Sequence, residues 1–124
     1  MHDKWAITHL TEDNIVVIQS SKRLGFDDLA ALTRDIVHAA ATYGSKRFLA
    51  DLRKATLTIS VTDTYNLSRI ADQAGIFRGW KIANVFAEVT RDMSFIETIG
   101  MNRGFMVKTF DNMDAARAWL LGDN

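Results

Sequence analysis

The residues of this chain whose types could do chemistry fall into a few groups. One is Ser60, flanked by Thr58 and Thr62. A serine at a helix start is a candidate phosphoacceptor, because free backbone N–H groups there favour an added phosphate. The same hydroxyl is also a good N-cap, worth about 1 kcal/mol to its helix. A second group is acidic: Asp51 and Glu88 near strand ends, Glu97 on a helix, and Asp111. Ligands of open parallel sheets bind outside the carboxyl ends of the strands, so Ser20, Ser21, Arg53, Glu88 and Asp111 are expected at one edge. Hydrolases and transferases use such sets, but no nucleophile, base and orienting residue can be read in order. The same residues read more simply, with Asp111 a helix cap, Arg53 solvated and Asp51 an internal hydrogen-bonding group. No enzyme is predicted.

The third group is apolar. In Ala74-Gly75-Ile76-Phe77-Arg78-Gly79-Trp80, the turn carries Ile76 and Phe77 beside Arg78 and Lys81, and helical periodicity does not explain them. They read as a lid over an apolar pocket or a tip dipping into a lipid surface, with the basic residues at headgroups. The plainer reading is a satellite core that closes the end of the preceding helix.

Several chemistries drop out. The chain has no cysteine, so disulfides, thiol catalysis and cysteine-held metal centres are excluded. His2, His9 and His38 lack the spacing of a helical metal site, and no metal or cofactor is expected. The two Gly-x-x-x-Gly stretches, 75–79 and 100–104, lack the Gly-Lys-Ser/Thr ending of a phosphate loop. Lys22-Arg23, Lys46-Arg47 and Arg53-Lys54 read as solvated loop positions. Fifteen basic residues balance fifteen acidic ones, which removes the broad positive field of a dedicated nucleic-acid binder. At 124 residues, 48% hydrophobic and 24% charged, the chain has the size and balance of one globular domain spanning 1–124. The N-terminus meets charge at once, and the longest strongly apolar stretch, 15–18, is far short of the roughly 20 residues of a spanning helix. A cytoplasmic location is expected.

The elements that must position these groups follow from two alternating periods. Residues 5–10 and 14–19 read as strands of a hairpin. Phe26, Leu29, Ala30, Thr33, Ile36, Val37 and Ala40 form the stripe of an amphipathic helix, with Gly44 as its stop. Residues 47–52 read as a buried strand. A polar connection through Thr58 leads to a helix over about 61–74, with Ser60 and Asp63 resembling a capping box and Leu67, Ile70, Ala71 and Ala74 facing inward. Its outer residues suggest few tertiary contacts, so it could swing as a lid. Residues 80–87 are a third buried run, and Asp92 caps a helix carrying Phe95, Ile96 and Ile99. A strand at 105–110 and a helix capped by Asp111 with Asp114 finish the chain. The order β-β-α-β-α-β-α-β-α predicts an α/β fold: a mostly parallel five-stranded sheet, an antiparallel N-terminal edge strand and four helices. The exposed edge at 5–10 offers pairing to a second copy.

This order, with Phe48-Leu49-Ala50-Asp51-Leu52, Glu97-Thr98, Asn102-Arg103-Gly104 and the ending 110–120, resembles the STAS domain of anti-sigma-factor antagonists. It is more similar to the SpoIIAA-like branch, which is related to CRAL-TRIO lipid-binding domains. Antagonist STAS proteins carry a phosphorylatable Ser in an Asp-Ser-Ser-Gly-like turn. The corresponding stretch here, 57–63, has no such turn, and Ser60 is its nearest hydroxyl. The branch implies a non-enzymatic module binding an apolar or lipid-like small molecule, with Ile76, Phe77, Trp80, Phe95 and Met101 as pocket or lid, and peripheral membrane contact. The alternative is a regulatory module that docks a kinase-like or sensor protein partner near Ser60.

Overall fold

Short β-branched runs at the N-terminus pair as β1 (Ala6–Leu10) and β2 (Ile15–Gln19), an antiparallel hairpin. The turn closes through Asn14 at φ 52°, a conformation asparagine tolerates better than most residues. These and the elements below belong to a computed structural model that describes residues 3–75, 79–90 and 106–122. β3 (Arg23–Leu24) leads into α1 (Phe26–Tyr43), whose first turn holds Asp27 and Asp28 and which ends at Gly44, φ 61°. β4 (Arg47–Asp51) follows, then β5 (Thr56–Leu57), α2 (Val61–Ala74), β6 (Lys81–Val85), β7 (Met106–Phe110) and α3 (Met113–Leu121).

Five strands form one sheet in the order β1-β2-β4-β6-β7, antiparallel at β1 and parallel elsewhere. This is the expected α/β architecture. Three helices lie among the described residues. The helix expected after Asp92 falls outside them, as does Phe105. Two details differ from expectation. The connection through Thr58 is not plain coil: β5 pairs in parallel with β3 as a separate two-stranded sheet. The cap of α3 is Asn112, not Asp111, because its side chain accepts from Ala115 N at 2.9 Å.

The sheet has a core on each face. Val16, Ile18, Phe48 and Ala50 pack with Leu32, Ile36 and Ala40 of α1 on one side. Ile15, Val17, Leu49, Ala83 and Val85 pack with Ala116 and Leu120 of α3 on the other. Strand residues alternate between the two faces, which is why β2 and β4 read as continuous apolar runs. α2 is different. It packs against α1, and Thr64 is its one fully buried residue.

Candidate functional site

Ser60 stands where the chain turns into α2, and the short β3–β5 pair puts it there. Thr56 N donates to Lys22 O at 3.0 Å and Thr58 N to Leu24 O at 2.9 Å, which fixes the path of the chain just before the serine. Ser60 is extended, φ −91° and ψ 173°. Its Oγ accepts from Asp63 N at 3.1 Å while the Asp63 carboxylate accepts from Ser60 N at 3.0 Å. Thr64 Oγ1 donates to Ser60 O at 3.1 Å. The box expected from the Ser60–Asp63 spacing therefore forms. Ser60 itself is exposed, and its hydroxyl proton is not used by the cap. Beside it, Val61 and Tyr65 sit one turn apart with 56% and 52% of their surfaces exposed. Two large side chains with apolar surface on one turn of helix make an unusual surface feature next to an exposed hydroxyl.

An apolar cavity of about 180 Å³ lies beneath α2. Leu32 and Ile36 of α1, Leu67 and Ala71 of α2, and Ile82 and Phe86 at β6 are among its walls, with Asn84 as a polar group on its floor. It exists because α2 leans on α1 rather than sinking onto the sheet. Of the residues expected to form an apolar pocket, only Trp80 lies among the described ones. Trp80 is 7% exposed and packs at a tilt against Phe48, ring centroids 5.2 Å apart, as part of the core rather than the cavity wall. Ile76, Phe77, Phe95 and Met101 lie outside the described residues. The cavity's own residues were visible only as inner stripes of helices; nothing in their spacing says that the stripes stop short of close contact.

At the carboxyl ends of β2 and β4 the structure gathers Gln19, Ser20, Ser21, Asp51, Arg53 and Lys54 around a pocket of about 290 Å³. Glu88 and Asp111 are exposed and do not line it, and Glu97 lies outside the described residues. Ser20 Oγ donates to Lys4 O at 2.6 Å and accepts from Lys22 N at 3.2 Å, so its hydroxyl holds backbone rather than facing a base. Arg53 grips both oxygens of Asp51, Nε at 2.8 Å and NH2 at 2.9 Å. That bidentate contact outweighs partial burial and lowers the Asp51 pKa below its ordinary value of 3.8. Asp51 is therefore a fixed carboxylate, not a general acid at neutral pH. No set of three His, Asp or Glu residues suited to a metal, and no helix long and apolar enough to cross a membrane, occurs among the described residues.

No protein-family model matches the sequence, and no curated protein does. The fold, by contrast, is shared widely. A DUF3478-family protein with a SpoIIAA-like fold from Shewanella loihica PV-4 superposes with a TM-score of 0.61 at 15% identity, over 94% of this chain and 91% of that one. A putative anti-sigma factor antagonist from Thermotoga maritima gives 0.58 at 13% identity, over 94% and 93%. The unphosphorylated anti-sigma factor antagonist SpoIIAA gives 0.52 at 12% identity, over 90% and 91%. The phosphorylated form of SpoIIAA, a Bacillus cell fate determinant, gives 0.50 at 13% identity, over 93% and 97%. The chain thus has the SpoIIAA-like, or STAS, fold.

Proposed function

We propose that this protein is a regulatory protein–protein interaction module of the anti-sigma-factor-antagonist type, which docks its partner on the exposed first turns of α2. The observation that carries this reading is the pairing of Ser60, exposed at the N-cap, with the half-exposed Val61 and Tyr65 side chains on the turn that follows. Two of the fold neighbours are SpoIIAA without and with phosphate. The local chemistry suits such a switch even without an Asp-Ser-Ser-Gly turn. A phosphoryl group on Ser60 Oγ is drawn to the free N–H groups of the helix start. It is repelled by Asp63, whose carboxylate is hydrogen-bonded to Ser60 N. Phosphorylation therefore opens the capping box and changes the surface that a partner meets.

The test is capture of partners in the source organism by a photo-crosslinker placed at Thr62. The reading expects a discrete partner with a kinase-like or sensor domain, retained by a Lys108→Ala control on β7 and lost in Val61→Arg and Ser60→Asp. Capture profiles that are the same for all variants would sink it.

A second reading, an apolar-ligand site, is favoured by the cavity beneath α2. Its 180 Å³ decides what size of ligand to consider. An engineered cavity of about 150 Å³ takes benzene, whereas drug-sized ligands occupy about 300–1,000 Å³. A ring-sized or short-chain molecule fits as the cavity stands, and a lipid tail needs α2 to swing outward. Native mass spectrometry after gentle purification, followed by titration with indole and hexanoate, addresses this. Uptake by the wild type that Ala71→Leu abolishes supports the site; no uptake of either probe and no retained mass removes it.

A further inference from the structure

Lys46, Arg47 and Lys81 look like scattered loop cations in the sequence, yet the sheet brings them together. Arg47 opens β4 and Lys81 opens β6, and the two are register partners on neighbouring parallel strands. They share a face with Leu49 and Ala83, the face that α3 covers. Neighbouring strands are about 4.8 Å apart. Like charges set side by side at that spacing destabilise a sheet unless something negative lies between them.

Among the described residues no carboxylate fills that role and neither residue is in an ion pair: Asp13, on the adjoining turn, gives its carboxylate to Arg117. What Arg47 and Lys81 have instead are neutral carbonyls and, for Lys81, the face of the Trp119 ring, its centroid 5.2 Å from Nζ. Lys81 Nζ donates to Trp119 O at 3.0 Å and Gly122 O at 2.8 Å, capping the end of α3. Arg47 NH1 donates to Asp13 O at 3.0 Å. An ammonium carries three donors and a guanidinium five, so both keep N–H groups to offer. Lys81 does so while only 8% exposed, where a charge without a counter-charge is costly.

The residues that carry these donors border one space. Arg47, Lys81 and the exposed Lys46 line a pocket of about 370 Å³, with Gly44, Gly79 and Gly122 at its rim. We propose that this pocket binds a small phosphoryl anion, a phosphate or phosphate monoester. The planar fork of an arginine matches two oxygens of such a group, a buried lysine adds a compact charge, and a dianion offsets the neighbouring cations. The pocket sits at the amino ends of the parallel strands. Ser60 lies beyond the carboxyl end of β4, so this site is independent of the docking surface proposed above.

The test is titration with inorganic phosphate and with pyrophosphate at low ionic strength, followed by amide NMR, with sodium chloride at matched ionic strength as control. The expected result is saturable shifts confined to the amides of Gly44, Lys46, Arg47, Lys81 and Gly122. Arg47→Met and Lys46→Glu should each bind about tenfold more weakly, the effect of one lost charge-assisted hydrogen bond. Lys46 is exposed, so its variant decides the matter if Arg47→Met unfolds. Shifts reproduced by chloride, or variants that bind phosphate as the wild type does, overturn the proposal.

Discussion

Ser60 shows how one hydroxyl carries two roles. As a cap it accepts from Asp63 N. Ser60→Ala is therefore expected to cost about 1 kcal/mol, within the range of roughly 0.5–2 for lost caps, measured by urea unfolding. Ser60→Asp keeps a capping acceptor but sets a second carboxylate beside Asp63, so it separates loss of the cap from gain of charge. Asp51 makes a different kind of prediction. Its folded pKa lies below the ordinary 3.8, so the unfolded chain binds that proton more tightly. The Arg53 contact thus stabilises the fold fully above pH 3.8 and loses that contribution as pH falls through the folded value. Arg53 is half-exposed, so salt screens the effect and keeps it small. A carboxyl NMR titration should place the Asp51 midpoint below 3.8, and Asp51→Asn should flatten the acid limb of the stability profile. A midpoint at or above that value would contradict the geometry.

At the scale of elements, α1 and α2 end alike, at left-handed Gly44 and Gly75, and have different anchors. α1 buries Ala30, Leu32, Ile36, Ala39 and Ala40, whereas α2 buries Thr64 and leans on α1. Local opening is cheapest where few apolar groups are buried. Amide hydrogen exchange should therefore show α2 opening at lower free energy than α1 or β4; equal protection across the three would contradict this. Both helices were legible in the sequence because a stripe at 3.6-residue spacing, a terminal glycine and a start signal, first-turn aspartates in α1 and the Ser60–Asp63 pair in α2, are all local. β3 and β5 were not, since two residues have no period. Asn112 and Asp111 compete for one cap within a single dipeptide, and only the backbone path selects the asparagine.

Over the whole molecule, the sheet separates two cores and two candidate sites. Phe48 is fully buried on the α1 face and packs against Trp80. Phe48→Ala is expected to cost about 3–5 kcal/mol, which calorimetry or denaturant unfolding would read as loss of much of a stability typically about 5–15 kcal/mol. The docking turn of α2 and the basic pocket lie toward opposite ends of the parallel strands. Of the apolar segment singled out from sequence, Trp80 is buried, as the apolar run at 80–87 implies, but its tilted contact with the Phe48 ring is one that no local pattern reveals.

What the sequence by itself determined is what depends on neighbours within about one helical turn or one strand: the α/β order, the antiparallel hairpin, the bounds of α1 and α2, and the Ser60–Asp63 box. Only the tertiary structure decided the rest. The register that sets Arg47 beside Lys81, the packing of Trp80 against Phe48, and the gap beneath α2 all join residues from separate elements. Such contacts come from packing complementarity between surfaces, and that is a property of pairs of elements which no single segment encodes.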